Sequence, residues 1–163
     1  MPGPFAAYVA LGSNLDDPEA QVEGGFAALA ALPGTRLRAR SRLYRTPPWG
    51  VVDQPAFVNA AAALETSLAP RALLEALLAI EAGAGRVRGV RNGPRTLDLD
   101  LLAYGDCELR EAGLTLPHPR LHERAFVLLP LADVAPGFDV PGQGRVADLL
   151  ANVDTTGCVA IDG

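Results

Sequence analysis

The stretch that decides the fold is GPRTLDLDLLAYG, residues 93–105. Within it, TLDLDLLAY alternates polar and apolar residues with period 2, the pattern of a half-buried β-strand. Two of its polar positions, Asp98 and Asp100, are both carboxylates and fall on one strand face. Residues i and i+2 lie about 7 Å apart along a strand, so the two carboxylates can converge to about 5 Å. At an effective dielectric constant of 20 their repulsion is then on the order of 3 kcal/mol. Two cations are candidates to relieve it. One is the guanidinium of Arg86, Arg88, Arg91 or Arg95, which precede or begin the segment. The other is Mg2+, a hard ion that prefers carboxylate oxygen and often shares its site with phosphates. The plain alternative is an ion-paired strand face with no chemistry.

Working outward, the flanking sequence supplies a regular order of elements. Residues 6–12 (AAYVALG) read as a short buried strand ending in a glycine turn. Asp16, Asp17 and Pro18 form a helix-start signal, and the helix runs to about Leu32, where Pro33 and Gly34 stop it. Residues 35–44 alternate most regularly, with Leu37, Ala39, Ser41 and Leu43 on one face and Arg36, Arg38, Arg40 and Arg42 on the other. A proline-rich loop spans 45–55, a strand 56–65, and a helix begins at Pro70 and ends near Gly83–Gly85. After the Asp98/Asp100 strand, Gly105 and Asp106 turn the chain into a short strand, CELR (107–110). Helices are expected at 124–134 and 145–152.

This order predicts one α+β domain over residues 1–163, a ferredoxin-like split βαβ (βαββαβ) antiparallel sheet with helices packed on one face and a C-terminal extension. Such a fold hosts many functions and proves none.

Composition narrows the function. The chain has 49% hydrophobic residues, enough for a proper core, and a net charge of −5, which argues against a general nucleic-acid binder. All 14 basic residues are arginines, five of them in 36–45 and four in 86–95, with no acid in either window. The absence of lysine excludes the P-loop lysine and the kinase strand lysine, so if the chain handles phosphate it does so another way. The N-terminus lacks a basic n-region, no stretch is long enough for a membrane span, and Cys107 and Cys158 have no metal or disulfide spacing. A cytoplasmic protein with reduced thiols is the expectation. His118 and His122 have a spacing that invites zinc, but Pro119 lies between them and no third soft ligand is near. The Arg36–Arg42 row reads as a solvated strand face, with a nucleic-acid surface the alternative. Phe57 and Phe126 read as core aromatics unless a flat ligand is present.

Six motifs together carry a resemblance: ALGSNL (10–15), SRLYRTPPWG (41–50), DQPAFVNAAAALET (53–66), GRVR (85–88), GPRTLDLDLLAYG (93–105) and LPHPRLHERAFVLLPLADVAP (116–136). In order and spacing the chain resembles the 6-hydroxymethyl-7,8-dihydropterin pyrophosphokinase family. The resemblance implies transfer of pyrophosphate from ATP to the pterin hydroxymethyl, with release of AMP, in folate biosynthesis. It implies Asp98 and Asp100 as ligands of two Mg2+ ions, and Arg86 and Arg95 on the polyphosphate. Arg88, Thr115 and His118 would help hold ATP. Phe57 and Phe126 would stack on opposite faces of the pterin, with Asn59 on its polar edge and backbone groups of Thr46 and Pro47 beside it. The partners implied are small molecules, with no nucleic acid or membrane, and the chain is expected to be a monomer, weak dimerisation being the alternative. Two departures from the family pattern stand out. Asn92 occupies a position where some members carry tryptophan, and the 88–93 stretch is one residue shorter; Trp49 is a candidate substitute aromatic for the lid. Two rival readings are a Mg2+-dependent transferase with another acceptor and a non-catalytic binding module using Arg36–Arg42.

Overall fold

A computed structural model describes residues 4–14, 17–47, 56–84 and 97–161. In chain order the elements are β1 (Phe5–Ser13), α1 (Pro18–Ala30), β2 (Thr35–Arg40), β3 (Tyr44–Thr46), β4 (Phe57–Thr66), α2 (Pro70–Gly83) and β5 (Asp98–Tyr104). There follow β6 (Leu109–Glu111), β7 (Leu114–Leu116), α3 (Ala125–Val134), β8 (Asp139–Val140), β9 (Gly144–Arg145), α4 (Val146–Ala151) and β10 (Val159–Ala160). Helix α1 begins as its sequence requires: the Asp17 side chain accepts the Ala20 amide at 3.3 Å, and Pro18 occupies the first turn, where its missing N–H costs nothing. It ends two residues before the expected Leu32, ahead of the turn closed by Gly34 at φ 61°.

The main sheet has six strands in the order β10-β3-β4-β1-β5, with β2 also pairing β4, and every pairing is antiparallel. Strands β1 and β4 form its centre, in register from Phe5 opposite Thr66 to Ser13 opposite Val58. On one face, Val9 and Leu11 of β1, Ala60, Ala62 and Leu64 of β4, and Leu99 and Leu101 of β5 pack against Val22, Phe26 and Leu29 of α1 and Leu73 and Leu77 of α2. Fully burying each such leucine or phenylalanine contributes about 1.5–3 kcal/mol, so this layer dominates the core.

The expectation of helices on one face is corrected by the second core. Tyr8, Ala10, Ala61 and Leu102, on the opposite face, pack with Leu121, with Val127, Leu128 and Leu131 of α3, and with Val146 of α4. The physical reason lies in β4, whose residues 60–64 carry no polar face and are buried throughout. A strand apolar on both sides needs cover on both sides, and the C-terminal extension provides it.

Two other strand expectations change. The strand expected at 35–44 is broken. Its register slips between Leu37 and Ala39, and the ladder is left at Ser41. There the amide donates to the Ala61 carbonyl at 2.9 Å and the hydroxyl accepts the Ala61 amide at 2.8 Å, before the chain resumes pairing at Tyr44 opposite Asn59. The short strand after the Gly105 turn starts at Leu109, not Cys107, and forms a hairpin with β7 around Gly113, φ 74°.

The arginine row of β2 is exposed, as its alternation implies. Two of its charges meet acids delivered by other elements, Arg38 2.7 Å from Glu65 and Arg40 2.7 Å from Glu23 with its guanidinium 4.0 Å over the Phe26 ring, and Arg42, just past the strand, lies 3.0 Å from Asp133. The expected single arginine face is therefore corrected: the register slip between Leu37 and Ala39 turns Arg40 toward α1 and leaves Arg42 on the side of α3, with each charge neutralised locally. No described helix is long and apolar enough to cross a membrane.

Candidate active site

One row of residues crosses the sheet at the end nearest the start of β5. Tyr44 on β3 is opposite Asn59 on β4, Asn59 is opposite Gly12 on β1, and Gly12 is opposite Asp98 on β5. Neighbouring rows add Thr46 opposite Phe57 and Ala10 opposite Asp100. By strand parity, Phe57, Asn59, Ala10, Gly12, Asp98 and Asp100 share the face that carries Ala61 and Leu102, the face covered by α3. Neighbouring strands are spaced about 4.8 Å apart, so the Asn59 and Asp98 backbones lie about 10 Å apart.

Asp98 and Asp100 are half-buried and border a cleft of about 460 Å³. Thr115, His118 and Glu81 line the same cleft, so the carboxylate motif and the 115–118 segment meet in space as well as in sequence order. The edge of β5 is fixed at two points. Glu81, only 4% exposed near the end of α2, accepts the Leu99 amide at 2.7 Å. The His118 amide donates to the Leu102 carbonyl at 2.8 Å. The Leu99 amide lies between the two aspartates, so Glu81 sets the strand from which both project.

His118 is held neutral. Burial, reinforced by the positive charges of Arg124 and Arg120, lowers its pKa to about 4. Its Nδ1 accepts the Arg120 amide at 3.1 Å, which leaves the proton on Nε2 as a donor.

The start of α3 lies on the same face of the sheet. Arg124, half-buried, is pushed to lower pKa by burial, while Asp100 and more weakly Asp98 favour its charge. Its guanidinium lies 5.6 Å from the Phe126 ring centre. Phe126 is half-buried against the second core. Pro130 stands inside α3 and has no N–H for the Phe126 carbonyl four residues earlier, while the Leu128 amide still donates to the Arg124 carbonyl at 2.9 Å in the first turn. At the other end of α3, Asp133 accepts from Tyr44 Oη at 2.9 Å and from Arg42 Nε at 3.1 Å. Burial alone would raise the Asp133 carboxyl, but the hydrogen bonds from Arg42 and Tyr44 outweigh it and keep it below its usual range. The same burial, with the bond to Asp133, pushes the Tyr44 hydroxyl up to about 12. This clamp ties α3 to β3 beside Thr46.

Asn59 Nδ2 donates to Thr46 Oγ1 at 2.7 Å, and Thr46 is 1% exposed. Phe57 is half-buried on the shared face, and Pro47 is exposed at the end of β3. The structure therefore brings Asp98, Asp100, Thr115 and His118 to one cleft, and Thr46, Phe57, Asn59 and Phe126 to the same side of the sheet. Arg86, Arg88, Arg91, Asn92, Arg95 and Trp49 lie outside the described residues. Sequence reasoning missed Glu81 and Arg124. Glu81 had a signal, standing four residues after Leu77 on the apolar stripe of α2.

Chemically, the cleft offers the two aspartates as hard oxygen donors, a hydroxyl and a neutral imidazole donor, with the Arg124 charge felt at Asp100, a set suited to a metal-bound polyanion. The same side of the sheet offers the Phe57 and Phe126 rings and the oriented Asn59 amide, a set suited to a flat polar heterocycle.

Comparison with known proteins bears on the whole chain. The family model of 7,8-dihydro-6-hydroxymethylpterin-pyrophosphokinase (HPPK) matches residues 8–136. The chain is 49% identical over 156 residues to the 2-amino-4-hydroxy-6-hydroxymethyldihydropteridine pyrophosphokinase of Methylorubrum extorquens, covering 96% of this chain and 98% of that one. It is 50% identical to the enzyme of the same name from Pseudomonas aeruginosa, covering 96% of each. Among solved structures, Plasmodium falciparum HPPK-DHPS with SDX-DHP superposes with a TM-score of 0.68 at 15% identity, over 90% of this chain and 43% of that longer one. An HPPK-DHPS in complex with substrates gives a TM-score of 0.72 at 12% identity, over 92% of this chain and again 43% of the other. At those identities the solved structures speak for the fold alone, and this chain spans less than half of their length. The sequence matches, the family model and the shared fold agree: the chain belongs to the 7,8-dihydro-6-hydroxymethylpterin-pyrophosphokinase family.

Proposed function

We propose that the chain transfers the pyrophosphoryl group of ATP to the hydroxymethyl group of 6-hydroxymethyl-7,8-dihydropterin, releasing AMP, as a step of folate biosynthesis. The observation that carries this reading is the single row Asn59–Gly12–Asp98, which sets an acceptor-selecting amide and a carboxylate pair about two strand spacings apart on one face. The order β5-β1-β4-β2, with crossovers through α1 and α2, supports a ferredoxin-like assignment for the core of the sheet.

The donor set fits Mg2+: two carboxylates on one strand face, half-buried, both bordering a cleft large enough for a nucleotide polyphosphate. Asp98 and Asp100 would hold the metal, two ions in the full reaction, and bound Mg2+ supplies neutralisation of the polyphosphate charge. The chain's own residues do the rest. Glu81, through the Leu99 amide, keeps the strand that carries both aspartates in place. Thr115 and the Nε2–H of His118 bind phosphate or ribose oxygen in the same cleft, and Arg124 adds a fixed positive charge beside Asp100. Arg86, Arg88 and Arg95 complete the grip on ATP, and Arg86 and Arg95 stabilise charge as AMP departs. Phe57 and Phe126 stack on the two faces of the pterin, Asn59 pairs with its polar edge, and the backbone at Thr46 and Pro47 lies alongside. The acceptor hydroxyl is thereby positioned for in-line attack, and positioning with charge stabilisation accounts for the catalysis.

The test is an AMP-release assay with ATP, with and without the hydroxymethyl-dihydropterin, repeated after chelation of Mg2+. AMP release that needs both is the expected result. Release without the pterin, or turnover unaffected by chelation, contradicts the proposal.

A further inference from the structure

Gly12 stands at the centre of the row that joins the two halves of the site, opposite Asn59 on one side and Asp98 on the other. Its place in mid-strand does not explain the choice of glycine. It is not among the positive-φ glycines, so its backbone conformation is open to any residue, and glycine weakens a strand. What explains it is space. A Cβ at Gly12 would lie 2.6 Å from Asn59 Oδ1 and 3.7 Å from its Cγ. The carboxamide of Asn59 occupies the volume that any side chain at position 12 would take. It lies there with its nitrogen bonded to Thr46 Oγ1 at 2.7 Å.

We propose that Gly12 is a positioning residue for acceptor recognition: its missing side chain is what lets the Asn59 carboxamide lie against β1 with its nitrogen on Thr46. This deepens the functional reading above and rests on it for the identity of the acceptor. An amide recognises a heterocycle by presenting a donor and an acceptor in fixed order, and a flipped or displaced amide presents the wrong pattern. Thr46 fixes one end of the group and the bare Gly12 backbone makes room for the other. The clash created by a methyl group is with the far end of a side chain, so it is relieved by rotation of Asn59 while the strand stays in place.

The test is Gly12→Ala, read in two independent ways. In the ligand-free protein, the side-chain NH2 resonance of Asn59 is followed by NMR. It is expected to shift while the thermal midpoint stays close to that of the unaltered chain. In the AMP-release assay, KM for the pterin is expected to rise roughly 10- to 100-fold, the scale of one lost buried polar contact, with KM for ATP within about twofold. The double variant Gly12→Ala/Asn59→Ala, which lacks the clash, is expected to match Asn59→Ala alone, because Gly12 acts only through that side chain. An unmoved Asn59 resonance, effects that multiply in the double variant, or equal losses for ATP and pterin would each overturn the inference. So would a Gly12→Ala chain that fails to fold while the double variant folds, since that assigns Gly12 to packing. The resonance needs no turnover, which separates the two claims. If it shifts but the unaltered chain shows no pterin-dependent AMP release, the functional reading fails and the Gly12–Asn59 coupling stands.

Discussion

Strands β2 and β5 flank the β1–β4 centre of the sheet and share a charge pattern, yet their surroundings differ. On β2 every second residue is an arginine, exposed, and Arg38 and Arg40 each meet a glutamate from a neighbouring element at 2.7 Å. On β5 every second residue is an aspartate at the start of the strand, half-buried, and both border a cleft shared with Thr115, His118 and Glu81. Alternating charge on a strand is therefore not a functional signal in itself. It becomes one where the face is partly covered, so that repulsion cannot be shed to water, and where the surrounding groups are those of a binding site.

The largest difference between the two strands is expected at β5. Asp98→Asn or Asp100→Asn is expected to lower pterin-dependent AMP release on the order of 10³-fold or more while leaving the melting temperature nearly unchanged. A parallel fall in stability would make the pair a structural feature like the β2 row. Next in size is the support of β5. Glu81→Ala leaves the buried Leu99 amide without its side-chain acceptor and is expected to cost about 1–3 kcal/mol by denaturant titration, together with activity. Loss of activity at unchanged stability would mean that Glu81 acts on ligand and not through the strand.

A pH dependence of similar scale follows from His118. Its folded pKa of about 4 lies below the ordinary histidine value, so between those values the unfolded chain binds the proton and the folded chain does not. Stability contributed by neutral His118 is present above the unfolded pKa and is lost as pH falls through the window from about 6.5 to about 4. With the group partly exposed, the loss is on the order of 2 kcal/mol. His118→Gln is expected to flatten that part of the profile, measured as ΔG against pH; an unchanged slope would show that other groups set it. The smallest effect belongs to β2: Arg38→Ala is expected to change stability by about 0.5 kcal/mol or less and AMP release not at all.

What the sequence made legible follows the same division. The strand with Asp98 and Asp100 and both helices of the first layer are written in local patterns of period, proline and motif, whereas Thr115 and His118 entered the site only through the family resemblance. The break in the arginine strand is not, because it depends on Ser41 bonding both backbone groups of Ala61, a contact between distant segments. The cover of the second sheet face was readable in principle from the alanine run of β4, which has no side to leave in water. Glu81 was hidden by rule as much as by distance: an acid on an apolar helix stripe looks like an error in the pattern until its partner, the Leu99 amide, is known. Gly12 lay within a quoted motif, but only the cross-strand register shows that its empty volume belongs to Asn59.

Mn2+ in place of Mg2+ reads directly whether the β5 carboxylates hold the metal. Water-proton relaxation of Mn2+ titrated into the protein with a non-hydrolysable ATP analogue is expected to show a bound ion in the unaltered chain. That signal is expected to be lost in Asp98→Asn/Asp100→Asn. Undiminished Mn2+ binding by that double variant would contradict the claim.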